Sequence, residues 1–134
     1  YLLGSITGKA EYLEIVDRLI DNMIPYINKV PMHTLSWAKL TDLRKNDKLD
    51  HLVIIHDEKN LNEVLNKLNS EWASNLIYFG KSYKTKTNLD IFDHKLLIDD
   101  KNTFYLCRSY TCKMPTNSIK DINNQIKDLS SLSY

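Results

Sequence analysis

Glycine is scarce in this sequence, with Gly4, Gly8 and Gly80 the whole supply. A loop that cradles phosphate needs clustered glycines so that the backbone can approach the anion. Neither the dinucleotide-binding G-x-G-x-x-G nor the P-loop pattern occurs, which argues against nucleotide binding by those routes. Cysteine is as sparse: two residues in 134 are too few for a disulfide-stapled secreted scaffold. No apolar run approaches the roughly 20 residues that a membrane-spanning helix needs. No basic stretch followed by an apolar core marks a signal peptide. Charge of one sign is also lacking, since Lys and Arg total 18 against 17 Asp and Glu, for a net charge of +1. The basic excess of a nucleic-acid binder is therefore missing. These absences set the expectation of a cytoplasmic chain with no nucleic-acid or membrane partner and no cofactor.

What is present suits a globular domain: 43% of the residues are hydrophobic and 26% charged. The sequence starts at Tyr1 in mid-pattern and without Met, so a fragment of a longer protein is expected. Residues 9–29 place Leu13, Val16, Leu19, Ile20, Met23, Ile24 and Ile27 near helical spacing, with Pro25 expected to kink or shorten the helix. A second helix is expected over 32–46, carrying Leu35, Trp37, Leu40 and Leu43. The pattern changes at "HLVIIHD" (51–57), a continuous apolar run of the kind found in strands buried on both faces. "NLNEVLNKLNSEW" (60–72) follows with a helical stripe of Leu61, Val64, Leu65, Leu68 and Trp72, and Asn60 with Glu63 fits a capping box. "NLIYFG" (75–80) and "TFYLC" (103–107) read as further strands. Ile119, Ile122, Ile126 and Leu129 mark a last helix, capped by Thr116 or Ser118. The order predicts an α/β fold: an N-terminal helical hairpin, then a small, mainly parallel three-stranded sheet with flanking helices. Within it "KLLIDDKNTFYLC" (95–107) also allows a β-hairpin turning at "DDKN".

The stretch "KNTFYLCRSYTCKMPTNSIKDI" resembles the C-terminal signature of a thioredoxin-domain-containing family, that of the bacterial YyaL-type proteins and the animal spermatogenesis-associated thioredoxin-domain proteins. Tyr105, Leu106, Cys107, Tyr110, Cys112, Pro115 and Thr116 carry the likeness. The upstream order of helical pair, "LVII" strand, long helix and "LIYF" strand is similar too. The resemblance implies a thioredoxin fold followed by an α/α toroid of the six-hairpin glycosidase type, closed by a small α/β segment. Residues 1–50 would then be the end of the toroid and 51–134 the closing segment. The family's Cys-x-x-Cys lies at the other end of its chain and has no counterpart here. The partners implied are the thioredoxin and toroid regions of the same polypeptide. Exposed apolar residues around Leu13, Leu19 and Ile20 would make self-association of the fragment, or a hydrophobic face, an expected consequence.

Four groups of residues are candidates for chemistry. Cys107 and Cys112 could form a reversible disulfide or a soft-metal pair, although a structural zinc normally takes four ligands. Fully extended, they would lie about 16 Å apart, and a tight turn would bring them together. The reading placed first is that Cys107 is a small buried hydrophobe ending a core strand while Cys112 packs under the turn, the two thiols unlinked in the reduced protein. His56 and Asp57 end the first strand, where open α/β sheets place ligands, and Gly80 ends the second; His33, His51 and His94 are scattered. Asp90, Asp93, Asp99 and Asp100 match no calcium loop and suit turns. "KSYKTK" (81–86) with Tyr78 and Tyr83 suits a solvated loop better than a single-strand nucleic-acid platform.

Three functions follow in that order. The first is a noncatalytic structural segment of a larger thioredoxin-domain-containing protein. The second is a redox accessory using Cys107 and Cys112. The third is small-molecule binding around His56, Asp57 and Gly80. No catalytic residue and no metal ligand is assigned.

Overall fold

The computed structural model describes residues 1–57, 61–68, 75–109 and 111–131. The chain divides into two compact units: residues 1–48 with 88–93, and residues 49–87 with 94–134.

The first unit is helical. Helix α1 spans Leu2–Thr7 and closes at Gly8, whose left-handed φ of 67° suits the one residue type without a Cβ. Helix α2 follows over Ala10–Lys29, burying Val16 and Ile20 and leaving Leu13, Met23, Ile24 and Ile27 half-buried. Pro25 does not end it, and the helix runs on to Lys29. A 3-10 turn at Pro31–His33 then leads to α3, Leu35–Lys45. The helical hairpin expected from the spacing is present, with its second helix starting three residues later than the sequence suggested. Arg44 holds Asp17 in a two-pronged ion pair at 3.0 and 2.9 Å, and Lys45 reaches Asp21 at 3.0 Å. Ile15, Leu19, Tyr26, Met32 and Leu35 remain exposed.

The second unit is a four-stranded mixed sheet with helices. Its strands are β1 (Asp50–His56), β2 (Leu76–Ser82), β3 (Thr103–Arg108) and β4 (Thr111–Cys112), in the order β2-β1-β3-β4. Only β1 and β2 are parallel; β1 with β3 and β3 with β4 are antiparallel. This corrects the expected three-stranded, mainly parallel sheet. A continuous apolar run reports burial on both faces, and a central strand acquires that burial whichever way its neighbour points. β3 has every residue from Thr103 to Cys107 buried, yet lies antiparallel to β1.

Leu52 and Ile54 of β1, Leu76 of β2, and Phe104 and Leu106 of β3 form one core. It also takes Val64 and Leu68 of α4 (Leu61–Leu68), and Ile122, Ile126 and Leu129 of α5 (Ile119–Ser131). Val53 and Ile55 point to the opposite face and are buried as well. Ile77 and Phe79 are only half-buried, because β2 is an edge strand. Helix α5 is capped by Ser118, whose hydroxyl oxygen accepts the Asp121 N–H at 3.2 Å. The Asn60 half of the proposed capping box, and Trp72, lie outside the described residues.

The segment before β3 turns at Asp99 and Asp100, both at φ 53°, with Ile98 and Lys101 bridged. The turn that "DDKN" suggested is therefore there, but it closes on a single bridge rather than a ladder of two strands. No described helix is long and apolar enough to cross a membrane.

Candidate functional site

The two cysteines meet through the shortest kind of hairpin. β3 ends at Arg108 and β4 begins at Thr111, so Cys107 and Cys112 fall directly opposite each other in register, outside the Arg108–Thr111 pair. Ser109 adopts φ 48°, the positive value that hairpin turns of this length require. The structure joins the two sulfurs in a disulfide. Of the two alternatives, linked and unlinked, the structure holds the linked one that a tight turn allows, and the physical reason is register: a two-residue turn makes residues i and i+5 cross-strand neighbours. The sulfurs differ in access. Cys107 is buried, 6% exposed, whereas Cys112 on the edge strand is exposed rather than packed under the turn.

The hairpin is anchored on both sides. The Lys113 N–H donates to the Leu106 carbonyl at 2.8 Å, and Phe104 and Thr116 exchange two backbone bonds at 2.9 and 3.1 Å. At the other flank Arg108 grips Asp50 with two bonds of 2.7 Å, across the β1–β3 ladder. Asp50 is 4% exposed, and its carboxylate raises the pKa of the Arg108 guanidinium above the ordinary arginine value. A depression of about 350 Å³ borders the disulfide, lined by Asp50, Leu106, Arg108, Cys112, Lys113 and Leu129 among others.

His51 lies on β1 opposite Cys107, one strand in from the disulfide. Directly opposed residues of an antiparallel pair share a face, with Cβ atoms about 4.5–5.5 Å apart. The imidazole meets the Phe79 ring edge-on at 5.5 Å between centroids. Its Nε2 is buried and makes no hydrogen bond within the described residues. Burial depresses the His51 pKa; Asp50 pulls it up and Lys95 pushes it down, both more weakly.

His56, Asp57 and Gly80 come only partly together. His56 is buried at the end of β1, and its Nδ1 finds no partner within the described residues. Gly80 is exposed on β2, and a Cβ there would stand 4.0 Å from His56 Cδ2, ordinary contact. Asp57 turns elsewhere: its N–H donates to Asn102 Oδ1 at 3.1 Å, and it lines a separate depression of about 400 Å³ with Asp100, Lys101, Asn102, Phe104 and Asn117. Among the described residues no hydrogen bond joins His56 to Asp57. His33 and His94 are exposed. Among the described residues no three His, Cys, Asp or Glu side chains gather as a metal site. Lys84 stands over the Tyr83 ring at 5.5 Å in the exposed loop after β2.

Sequence reasoning missed His51 and the Asp50–Arg108 pair. A signal for the first was available in principle, since it needs only the antiparallel register of β1 and β3. No family model matches the chain, and no curated protein or solved structure matches it either.

Proposed function

We propose that this chain is the closing α/β segment of a larger thioredoxin-domain-containing protein, and that it serves that protein as a redox accessory. The Cys107–Cys112 disulfide would exchange with a dithiol, the thioredoxin region of the same polypeptide being the natural partner under this reading. The observation that carries the redox part is the asymmetry of the disulfide: Cys112 is exposed at a sheet edge and Cys107 is buried beside it. Exchange begins when a thiolate attacks an accessible disulfide sulfur, so Cys112 is the point of entry and Cys107 the leaving sulfur. Lys113, next in the chain, supplies nearby positive charge that favours thiolate, Arg108 being already paired with Asp50.

A second reading keeps the segment purely structural and noncatalytic, with the disulfide a staple. The burial of Cys107 in β3 favours it, because a buried sulfur is protected from exchange. A trapping experiment separates the two. The oxidised protein is mixed with a thioredoxin-fold protein reduced to a single thiol, Cys-x-x-Ser. The redox reading expects an intermolecular disulfide that mass spectrometry locates at Cys112. Absence of any adduct, with the internal disulfide intact, selects the staple.

A further inference from the structure

His51, Cys107 and Cys112 stand in one row across three strands, each directly opposite the next in register. The row sets His51 directly across from the buried cysteine, on the side away from the exposed one, while its imidazole rests edge-on against Phe79. His51 Nε2 is also the one ring atom on that row left buried without a hydrogen bond in the described structure. A buried polar nitrogen without a partner is destabilising, and such groups call for an explanation. In the disulfide form Cys107 has no proton to offer and no charge to accept one. In the dithiol form it has one or the other, a proton as thiol or a charge as thiolate.

We propose that His51 is the positioning partner of the Cys107 sulfur, relaying a proton from solvent to the departing thiolate as the disulfide opens and holding the resulting thiol by a hydrogen bond. The proposal rests on the redox reading above and names the proton-handling group of that site.

An incoming dithiol loses one proton to solvent, and its thiolate bonds to Cys112 Sγ. The Sγ–Sγ bond breaks, and Cys107 leaves with the electron pair, next to His51. The second thiol of the dithiol, deprotonated in turn, attacks the mixed disulfide. Cys112 is released as thiolate and the dithiol becomes a disulfide. Two electrons have passed to the cysteine pair, and two protons are taken up, one at Cys112 from solvent and one at the Cys107–His51 pair. There the proton is shared between sulfur and imidazole, as S–H···N or as thiolate and imidazolium.

The charges facing this pair are known. Asp50, adjacent on β1, favours the imidazolium, and Lys95 from the segment before β3 opposes it. Arg108, one residue beyond Cys107, is already held by Asp50. In the oxidised protein burial holds the imidazole below the ordinary histidine pKa, so the resting ring is neutral at neutral pH and takes up a proton only as negative charge develops on Cys107.

The test uses the whole chain in two ways. First, imidazole titrations are followed by NMR in oxidised and dithiothreitol-reduced wild-type protein. The proposal expects the His51 titration to move between the two forms, and that of His33 to stay. Identical His51 curves in both forms overturn it. Second, the rate of disulfide opening by dithiothreitol is compared across pH for wild type, His51→Gln, His51→Phe and His33→Gln. Loss of a positioned proton-transfer group typically slows such a step by roughly 100-fold or more. We expect His51→Phe to show that loss with an altered pH profile, His51→Gln to recover part of it, and His33→Gln to match wild type. Equal rates and profiles in all four overturn the role of His51 while leaving exchange itself intact. A wild-type disulfide that dithiothreitol never opens defeats the redox reading instead. If a His51 variant fails to fold, the wild-type titrations decide alone.

Discussion

Replacing Cys112 with serine removes the Cys107–Cys112 crosslink at an exposed position, so little else is lost. A crosslink stabilises chiefly by restricting the unfolded chain. For a sequence separation of 5 the loop-entropy relation gives about 2 kcal/mol. Cys107→Ala removes the same crosslink and, in addition, a sulfur that is 6% exposed in the central part of the sheet. Burial of one small group adds about 1 kcal/mol, so this variant should lose about 3 kcal/mol. Urea unfolding under oxidising and reducing conditions reads both numbers. In oxidising buffer the order of stability should be wild type, Cys112→Ser, Cys107→Ala. In reducing buffer wild type and Cys112→Ser should coincide, and Cys107→Ala should remain lower by the packing contribution. If Cys112→Ser equals oxidised wild type, the crosslink contributes nothing and the reasoning from loop length is wrong. If Cys107→Ala equals Cys112→Ser in reducing buffer, the packing assigned to Cys107 is wrong.

The Asp99–Asp100 turn holds two non-glycine residues at φ 53°; Asp100→Gly should leave thermal stability unchanged or raise it, and Asp100→Val should cost about 1–2 kcal/mol by calorimetry, because a β-branched residue resists that region. Asp50→Ala should lower stability by about 2 kcal/mol in urea titrations, since it strands Arg108 without its two charge-assisted bonds of 2.7 Å. His51 has a folded-state pKa below its unfolded value, so the unfolded chain binds its proton more readily; stability should be fully present above the ordinary histidine pKa of about 6.5 and fall as pH drops toward the folded value, and His51→Gln should flatten that part of the pH–stability curve. Ile15 and Leu19, four residues apart on α2 and 44% and 46% exposed, should make the isolated chain associate at high concentration; Ile15→Asp with Leu19→Asp should return it to monomer in analytical ultracentrifugation, and a wild type that is monomeric throughout would count against an apolar interface there.

Element types were legible where periodicity was long. Helices α2, α4 and α5 and strands β1 and β3 fall where the spacing put them, although Leu19 of the α2 stripe is exposed and Trp72 of the α4 stripe lies outside the described residues. Strand direction was not legible, because Val53 to Ile55 and Phe104 to Leu106 are buried on both faces of a central strand, and such burial says nothing about orientation. Ile77 and Phe79 turned out half-buried for the complementary reason, that edge position is a property of the sheet and not of the run. β4 is two residues, Thr111 and Cys112, too short to carry any period. α1 is six residues with a glycine inside, and was missed for the same cause. At the site, the cysteine spacing of five was a hairpin signal that sequence reasoning left open between linked and unlinked thiols. Asp50 and Arg108 lie 58 residues apart, and only the β1–β3 register brings them together. The same register turns His51 from one scattered histidine into the neighbour of Cys107.

The reduction potential of the Cys107–Cys112 pair tests the central claim most directly. It is measured by equilibrating the whole chain in dithiothreitol and glutathione buffers of graded potential, quenching with an alkylating agent and weighing the products. A redox accessory predicts a potential in the range of dithiol oxidoreductases, roughly −180 to −270 mV, with full reversibility. A value below about −300 mV, where structural disulfides resist reduction, would contradict the account and leave the disulfide a staple.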